Sequence, residues 1–369
     1  MCKLLTFLKY IFSGTFYKLR KYAIWRSYLY DYKNYLTQPF RLWSIHRKGF
    51  TIGDWDILGL TNANYKTYLN SEQYYSIHPM NGTYSKIIDD KMTIKYIFNG
   101  TDINKYMPEY YYCTDDDSGI YTLMDASQRK REKTTQSEIF NLLIEKNRLA
   151  FKPIGGSLGK GFCKVEYANG VIYVNDEIMP KEDFYVFLNS LKNYLILEYL
   201  MPHPYLAQFG SNTPNTIRYL VGRVGNEWRM IKSFIRFGTK KTGIVENFNS
   251  GGILCYINQR GHFQGGYIIK KDKKRKISVP INEHPDSNLV LEGDIPLWDE
   301  IVAATVKIEN YLPQTKYLGF DFVVTNKNTV KLLEINSLTS LDSLQLDGSI
   351  LDSENGKWFF SSLLSNLKI

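Results

Sequence analysis

From Asn147 onward the hydrophobic pattern of the chain shortens. The runs RLAFKP, GFCKVEY, GVIYVN, YLILEYL, TIRYLVGRV, EWRMIKSFIRFG, GILCYIN and GYIIKK are rich in Val, Ile, Tyr and Phe and are separated by Gly, Asn and Asp. Short β-branched and aromatic runs broken by turn formers predict antiparallel strands and hairpins. Before them the chain reads differently. Residues 1 to about 85 are helical in pattern and broken by loops such as NGTYS at Asn81–Ser85, a helix is predicted at Ile87–Ile97, and Pro108 starts an extended YYYCT segment. TTQSEIFNLLIEKN at Thr134–Asn147 has a polar start, an early acid at Glu138 and an apolar face, which predicts a capped helix. One more helix, at Leu297–Pro313, leads into two final strands, YLGFDFVVTN and TVKLLEIN. The fold class is therefore α+β.

With 369 residues, 44% of them hydrophobic, the chain can form two or three packed layers or domains, so it is not a disordered tail. Its formal charge of +9 suits an anionic partner: a nucleotide, a phosphorylated carrier, a membrane face or nucleic acid. The 29 Tyr and 20 Phe are spread along the whole chain rather than gathered into a stacking surface, which argues against nucleic acid. The four cysteines lie far apart without metal-ligand spacing, and a reducing cytosol is the simplest compartment. The N-terminal MCKLLTFLKYIFSGTFYKLRKYAIW is interrupted by Lys9 and is too charged to span a bilayer. It reads as a basic, aromatic helix. Its Lys3, Lys9, Lys18, Arg20, Lys21 and Arg26 suit an anionic leaflet, and packing on its own domain is the alternative. KKDKKRK at Lys270–Lys276 reads as a solvated loop.

FKPIGGSLGKGF at Phe151–Phe162 holds four glycines and two lysines between two hydrophobic runs. Glycine loops bind phosphate because backbone N–H groups can converge on an anion where side chains are missing. A Walker A loop fails, because Lys160 is followed by Gly161 and Ile154 stands at the first-glycine position. A Rossmann fingerprint fails too, since its third glycine would fall at Lys164. Both flanks read as strands, so the loop is the tip of a hairpin. Such a tip can close over a triphosphate as a flap, with Lys152 as a fixed cation and Lys160 as a second one at the tip. A simple turn would need fewer glycines.

At the other end of the chain GFDFVVT and KLLEINS place Asp321 and Glu334 inside apolar strands, and Asn336 lies two residues from Glu334 on the same face. Two carboxylates and an amide oxygen on adjacent strands suit Mg²⁺ held together with substrate phosphates. A carboxylate satisfied by a neighbouring arginine is the alternative for either acid taken alone. The register that decides whether these faces meet is not in the sequence.

Taken together, FKPIGGSLGKGF, LILEYL, NTIRYL, FIRFG, ENFNSGGI and GFDFVVTN…LLEIN resemble, in order and spacing, an ATP-grasp protein of the sugar-transfer-associated branch, over roughly residues 86 to 350. The resemblance implies two α+β subdomains clamping ATP. It divides the chain into a helical, basic and aromatic N-terminal region at 1–85, a small subdomain with the glycine-rich flap at 86–195, and a large subdomain with the metal site at 196–369. By motif, Lys91 and Lys152 would hold the ATP phosphates, and Gly155, Gly156, Ser157, Gly159, Lys160 and Gly161 would form the flap. Glu198, Tyr199 and Leu200 would line the adenine, His203 would approach the ribose, and Arg218, Arg236 and Asn247 would serve the reacting groups. Asp321, Glu334 and Asn336 would bind one or two Mg²⁺. Two departures, SLTSLDS in place of an early proline after EIN and Glu246 where Asp is commoner, touch the acceptor side and leave the substrate open.

The implied activity is a carboxylate–amine ligase working through an acyl phosphate, in cell-surface polysaccharide or glycoconjugate synthesis. Its partners would be ATP and carboxylate and amine substrates, sugar- or lipid-linked, with peripheral membrane contact through residues 1–30 on the inner face and no nucleic acid. A kinase acting on a hydroxyl and a non-catalytic nucleotide-binding module are the alternatives. Such chemistry needs cations and carboxylates rather than a nucleophilic side chain, and the chain has no evident Ser/His/Asp or Cys/His constellation.

Overall fold

In a computed structural model of the chain, residues 22–123, 132–155, 159–210, 213–244, 246–272 and 275–365 are described. The expected basic helix of the first 25 residues therefore lies almost wholly outside the described residues, as do Gly156 and Ser157 of the flap.

The chain begins with helices α1 (Tyr22–Tyr35), α2 (Pro39–His46), α3 (Ile52–Ile57) and α4 (Ser71–Ile77). Each start has a local cause. Pro39 opens α2, the Thr51 side chain caps α3, and Asn70 with Gln73 forms a capping box on α4. The helix expected at Ile87–Ile97 is two helices, α5 (Tyr84–Asp89) and α6 (Lys91–Phe98). The break falls at Asp90, whose extended backbone and side-chain bond to the Thr93 amide make it a new N-cap.

Strands β1 (Tyr110–Thr114) and β2 (Ile120–Thr122) open the first sheet. Helix α7 (Gln136–Lys146) follows, capped as expected, here by a capping box of Thr135 and Glu138, and ends at Asn147 in the left-handed conformation. Then come β3 (Arg148–Pro153), β4 (Cys163–Ala168), β5 (Val171–Val174), β6 (Glu177–Met179), α8 (Lys181–Ser190) and β7 (Tyr194–Glu198). The sheet order is β2-β1-β7-β3-β4-β5-β6, every pairing antiparallel. One face buries Leu149, Phe151, Val165 and Ile196 against Ile139 and Leu143 of α7 and Phe184 and Leu188 of α8.

The chain then crosses to a second sheet through the short helix α9 (Pro204–Ala207). Strands β8 (Ile217–Val224), β9 (Glu227–Phe237), β10 (Ile253–Tyr256), β11 (His262–Gln264), β12 (Gly266–Asp272), β13 (Arg275–Ile281) and β14 (Glu292–Asp294) precede α10 (Trp298–Tyr311), β15 (Tyr317–Val324) and β16 (Val330–Asn336). The second sheet runs β13-β12-β10-β9-β8-β15-β16, and β11 pairs with β14 apart from it. Within the 270–276 segment, read from sequence as a loop, residues 270–272 and 275–276 are instead paired strand ends of β12 and β13, with Lys270 opposite Ile277 and Asp272 opposite Arg275, and residues 273–274 lie outside the described residues. The exposed Lys270, Lys271 and Lys276 suit an edge ladder as well as a loop.

One face of this sheet packs Ile217, Ile235, Phe320 and Phe322 on Ile301, Ala304 and Ile308 of α10. Ile88, Ile94, Phe98 and Ile103 are buried in that same core, so α5 and α6 pack on the second sheet, with Met92 of α6 reaching the first. On the other face Leu220 and Tyr317 are covered by Tyr74 and Ile77 of α4 and by Phe359 and Phe360 of α12 (Glu354–Ser365), the last helix after α11 (Leu341–Gln345). Asn81 ties this layer down, donating to the Tyr317 carbonyl at 2.6 Å and accepting from the Tyr317 amide at 2.9 Å.

Candidate active site

The register of β15 and β16 settles what the sequence left open. Asp321 lies directly opposite Glu334 and Gly319 opposite Asn336, so the three polar side chains share one face. Asn336 Nδ2 is 3.4 Å from Asp321 Oδ2 and 3.3 Å from Glu334 Oε1. On the other side of β15, Asp321 is opposite Arg218 of β8, which donates from Nη2 to Oδ2 at 2.9 Å and from Nε to Oδ1 at 2.5 Å. Arg236 of β9 adds a third bond to Oδ2 at 3.2 Å. Burial works against the charge of Asp321, but the two guanidiniums overcome it and hold the carboxyl below the usual carboxylate range.

Asp321 therefore spends most of its acceptor capacity on Arg218 and Arg236, the arginine-satisfied alternative weighed for a lone acid. Glu334 is the more open of the two carboxylates, with about a third of its side chain exposed. It receives Lys91 Nζ at 3.3 Å. Asp89 explains why Lys91 stands there. Its two oxygens accept from the amide and hydroxyl of Ser337, each at 2.7 Å, pinning the end of α5 to the end of β16. Asp89 has no signal in the sequence, since an acid ending a helix looks solvated.

From the first sheet, Lys152 of β3 lies on the same face as Ala150. Burial pushes its amine down from the ordinary lysine range, with Lys91 adding to the push and Glu334, Glu246 and Asp321 pulling the other way. These neighbours place Lys152 across from the Asp321–Glu334 face. The hairpin reading of the flap holds, since β3 and β4 pair antiparallel out to Phe151 opposite Cys163. Of the tip, Gly155, Gly159, Lys160 and Gly161 are described and exposed, and Gly159 and Gly161 have left-handed backbones. A β-carbon at Gly161 would also stand 2.8 Å from the Tyr194 hydroxyl.

Beside Lys152 the first sheet offers an apolar surface of Ala150, Leu195, Leu197 and Tyr199, with Met92, Ile154, Phe162 and Met201 packed on it. Tyr199 and Leu200 are buried, and the segment after them crosses between the sheets. Asn326 N donates to the Met201 carbonyl at 3.0 Å, and His203 N to the Val324 carbonyl at 2.9 Å. The side chain of Glu198 turns outward to Lys327 Nζ at 3.0 Å. His203 Nδ1 accepts from the Tyr205 amide at 3.2 Å and caps α9.

Asn247 caps the short turn Phe248–Ser250, its side chain accepting from the Asn249 amide at 3.0 Å. Its neighbour Glu246 was noted in the sequence only as a departure. Burial raises its carboxyl to about 7, against the pull of Arg236 and Lys152 and helped by Asp321. One donor stands out. Arg236 Nε is buried and has no hydrogen-bond partner among the described residues. An anion beside it would satisfy that bond, which is otherwise costly to leave unmade.

Two further observations bound the site. Among the described residues no group of three or more His, Cys, Asp or Glu is arranged to hold a metal by itself, so a metal here needs Asn336 or ligand oxygens as well. A groove of about 460 Å³ lined by Lys232, Tyr256, His262, Asp347 and Asn355 lies further along β9 and includes none of these side chains.

A two-sheet α+β architecture with a glycine hairpin facing paired basic and acidic strands is that of an ATP-grasp protein. The sugar-transfer associated ATP-grasp family matches residues 70–355, and the chain belongs to that family. No curated protein matches the chain in sequence. Among solved structures it is similar to the ATP-grasp ligase PsnB complexed with a minimal precursor, at 10% identity and a TM-score of 0.39, over 77% of this chain and 63% of that one. It is also similar to D-alanyl-alanine synthetase A from Vibrio cholerae, at 12% identity and a TM-score of 0.41, over 78% of this chain and 65% of that one. A third is N5-carboxyaminoimidazole synthetase from Staphylococcus aureus complexed with ADP, at 10% identity and a TM-score of 0.35, over 69% and 46%. The chain thus spans less than two thirds of the length of each, and the likeness is too low to carry anything about substrate.

Proposed function

We propose that the protein is an ATP-dependent carboxylate–amine ligase that forms an amide through an acyl phosphate. The observation that carries this reading is the meeting of Lys91, Lys152, Arg218 and Arg236 with Asp321 and Glu334, including the unpartnered Arg236 Nε. Four cations around two carboxylates suit a transferring phosphoryl group, and family membership supports the same reading.

ATP lies with its base on Ala150, Leu195, Leu197 and Tyr199, beside the Glu198–Leu200 crossing and near His203, and with its phosphates under the flap against Lys152 and Lys91. The substrate carboxylate attacks the γ-phosphorus and ADP leaves with the β–γ bridging oxygen. The amine then attacks the acyl carbon, inorganic phosphate leaves, and the amine gives up a proton. Arg236, with one N–H free to bond an anion, steadies the acyl phosphate, while Arg218 is held by Asp321 as its fixed partner. Asn247 and Glu246 face the acceptor side.

Glu334 and Asn336 fit Mg²⁺ by the hardness and spacing of their oxygens, once the Asn336 amide turns its oxygen inward, and Asp321 has its remaining lone pair to add. Bound there, Mg²⁺ would neutralise developing charge on the phosphates. The acceptor is a sugar carboxylate of cell-surface polysaccharide or glycoconjugate synthesis, joined to an amino acid or amine and carried on a lipid at the inner membrane face. The description of the family as sugar-transfer associated supports this finer reading.

The test is a screen of uronic acids against amines for ADP release. A ligase releases ADP and phosphate only when both are supplied. ADP release with a hydroxyl acceptor and no amine, yielding a phosphorylated product, would make it a kinase.

A further inference from the structure

The formal charge of +9 is not spread over the molecule. Residues 1–53 hold ten Lys and Arg against a single acid, Asp31, while residues 54–369 hold 36 of each sign. That single acid is buried, accepting from the Ile52 amide at 2.8 Å and bonded to His46 Nε2 at 3.0 Å, so it neutralises nothing on the surface.

The same region carries the largest exposed apolar side chains of the described residues. On α1 the inner stripe of Ile24, Tyr28 and Asp31 is buried, whereas Trp25, Leu29 and Tyr32, spaced as one outer helical stripe, stand in solvent with Tyr30 beside them and Leu36 just past the helix end. On α2 Leu42 and Ile45 are buried, while Phe40 is 88% exposed and Trp43 59%. Arg26, Lys33 and Arg47 are exposed among them, and the Arg47 guanidinium sits 4.5 Å over the Trp43 ring. Single exposed apolar residues need no explanation, but Trp25, Leu29, Tyr30, Tyr32, Phe40 and Trp43 on two adjoining helices do. No helix of the described residues is long and apolar enough to cross a membrane, so this surface can lie on a bilayer and not in it.

We propose that the outer faces of α1 and α2 form an interfacial platform that binds an anionic lipid surface. Charge complementarity selects this occupant. A second copy would bring the exposed Arg26, Lys33 and Arg47 against themselves, whereas an anionic leaflet neutralises them while Trp, Tyr and Phe settle at the headgroup level. Residues 1–21 hold five of those ten Lys and Arg and no acid, and continue the same chemistry toward the N-terminus. The proposal extends the membrane contact suggested for residues 1–30 to α2, and it does not depend on the ligase reading.

The test is co-sedimentation of the full chain with phosphatidylcholine vesicles, with and without phosphatidylglycerol, alongside nucleotide-binding assays of the same proteins. Wild type is expected to sediment only with the anionic vesicles and to be released by salt. Phe40→Ser with Trp43→Ser, and separately Arg26→Glu with Lys33→Glu, should each weaken vesicle binding at least about tenfold while nucleotide binding stays unchanged. These positions are exposed, so folding is preserved. The proposal is overturned if wild type ignores anionic vesicles, or if the Phe40/Trp43 pair binds them like wild type, as it would were residues 1–21 covering the patch. A dimer by light scattering that this pair dissolves, without vesicle binding, overturns it in favour of a second copy.

Discussion

In the first sheet Lys152 reaches the cleft alone, a half-buried cation beside Ala150 and across from Leu195. On the second sheet's side of the site the charges are paired, because Arg218 and Arg236 both hold Asp321, and Lys91 holds Glu334. The first sheet thus brings backbone, an apolar surface and one cation whose partner must come from outside. The second is preorganised by its own ion pairs. Loss of Lys152 or of the open Glu334 should therefore cost function alone, and loss of the buried Asp321 function together with stability.

The largest effect that would break this comparison is at Asp321. Asp321→Ala leaves the buried Arg218 without its bidentate partner, and the expected cost is about 3–5 kcal/mol of folding stability together with loss of turnover. Thermal unfolding checks it, and an unchanged Tm would remove the structural role assigned to the pair. Lys152→Ala should be the mirror image. Turnover is expected to fall by about 10²–10³-fold with Tm unchanged or raised, because a desolvated cation is being removed. A Tm loss like that of Asp321→Ala would put Lys152 in the scaffold instead.

A smaller effect sharpens the boundary between the sheets. Glu246 has a folded pKa of about 7 against an ordinary 4.5, so the folded state favours its protonated form. The stability this confers is present below about pH 4.5 and is lost as pH rises to about 7, on the order of 1–3 kcal/mol. Glu246→Gln keeps the side chain neutral. Its Tm should match wild type in acid and pull ahead across that window, and parallel Tm curves would contradict the buried placement.

Much of this molecule was legible in its sequence, unevenly. The glycine hairpin and the capped helix that follows Thr134 are local, written in glycine spacing and in a polar start with an early acid, and the structure has both. The break at Asp90 was missed because a capping aspartate within a helical pattern resembles a solvated one. Lys270, Lys271 and Lys276 mislead in the opposite sense, since a charged edge strand and a loop share a composition. The site itself depends on registers between distant strands. That Asp321 faces Glu334 on one side and Arg218 on the other, or that Asp89 anchors Lys91 through Ser337, follows only from pairing across many residues.

The most direct measurement joins turnover with unfolding for Glu334→Gln, which keeps the size of the side chain and removes its charge. If Glu334 serves Mg-ATP, ADP release should fall to background while Tm stays at the wild-type value, since Glu334 is the open member of the pair and its contact with Lys91 adds little. Wild-type turnover in this variant would contradict the account.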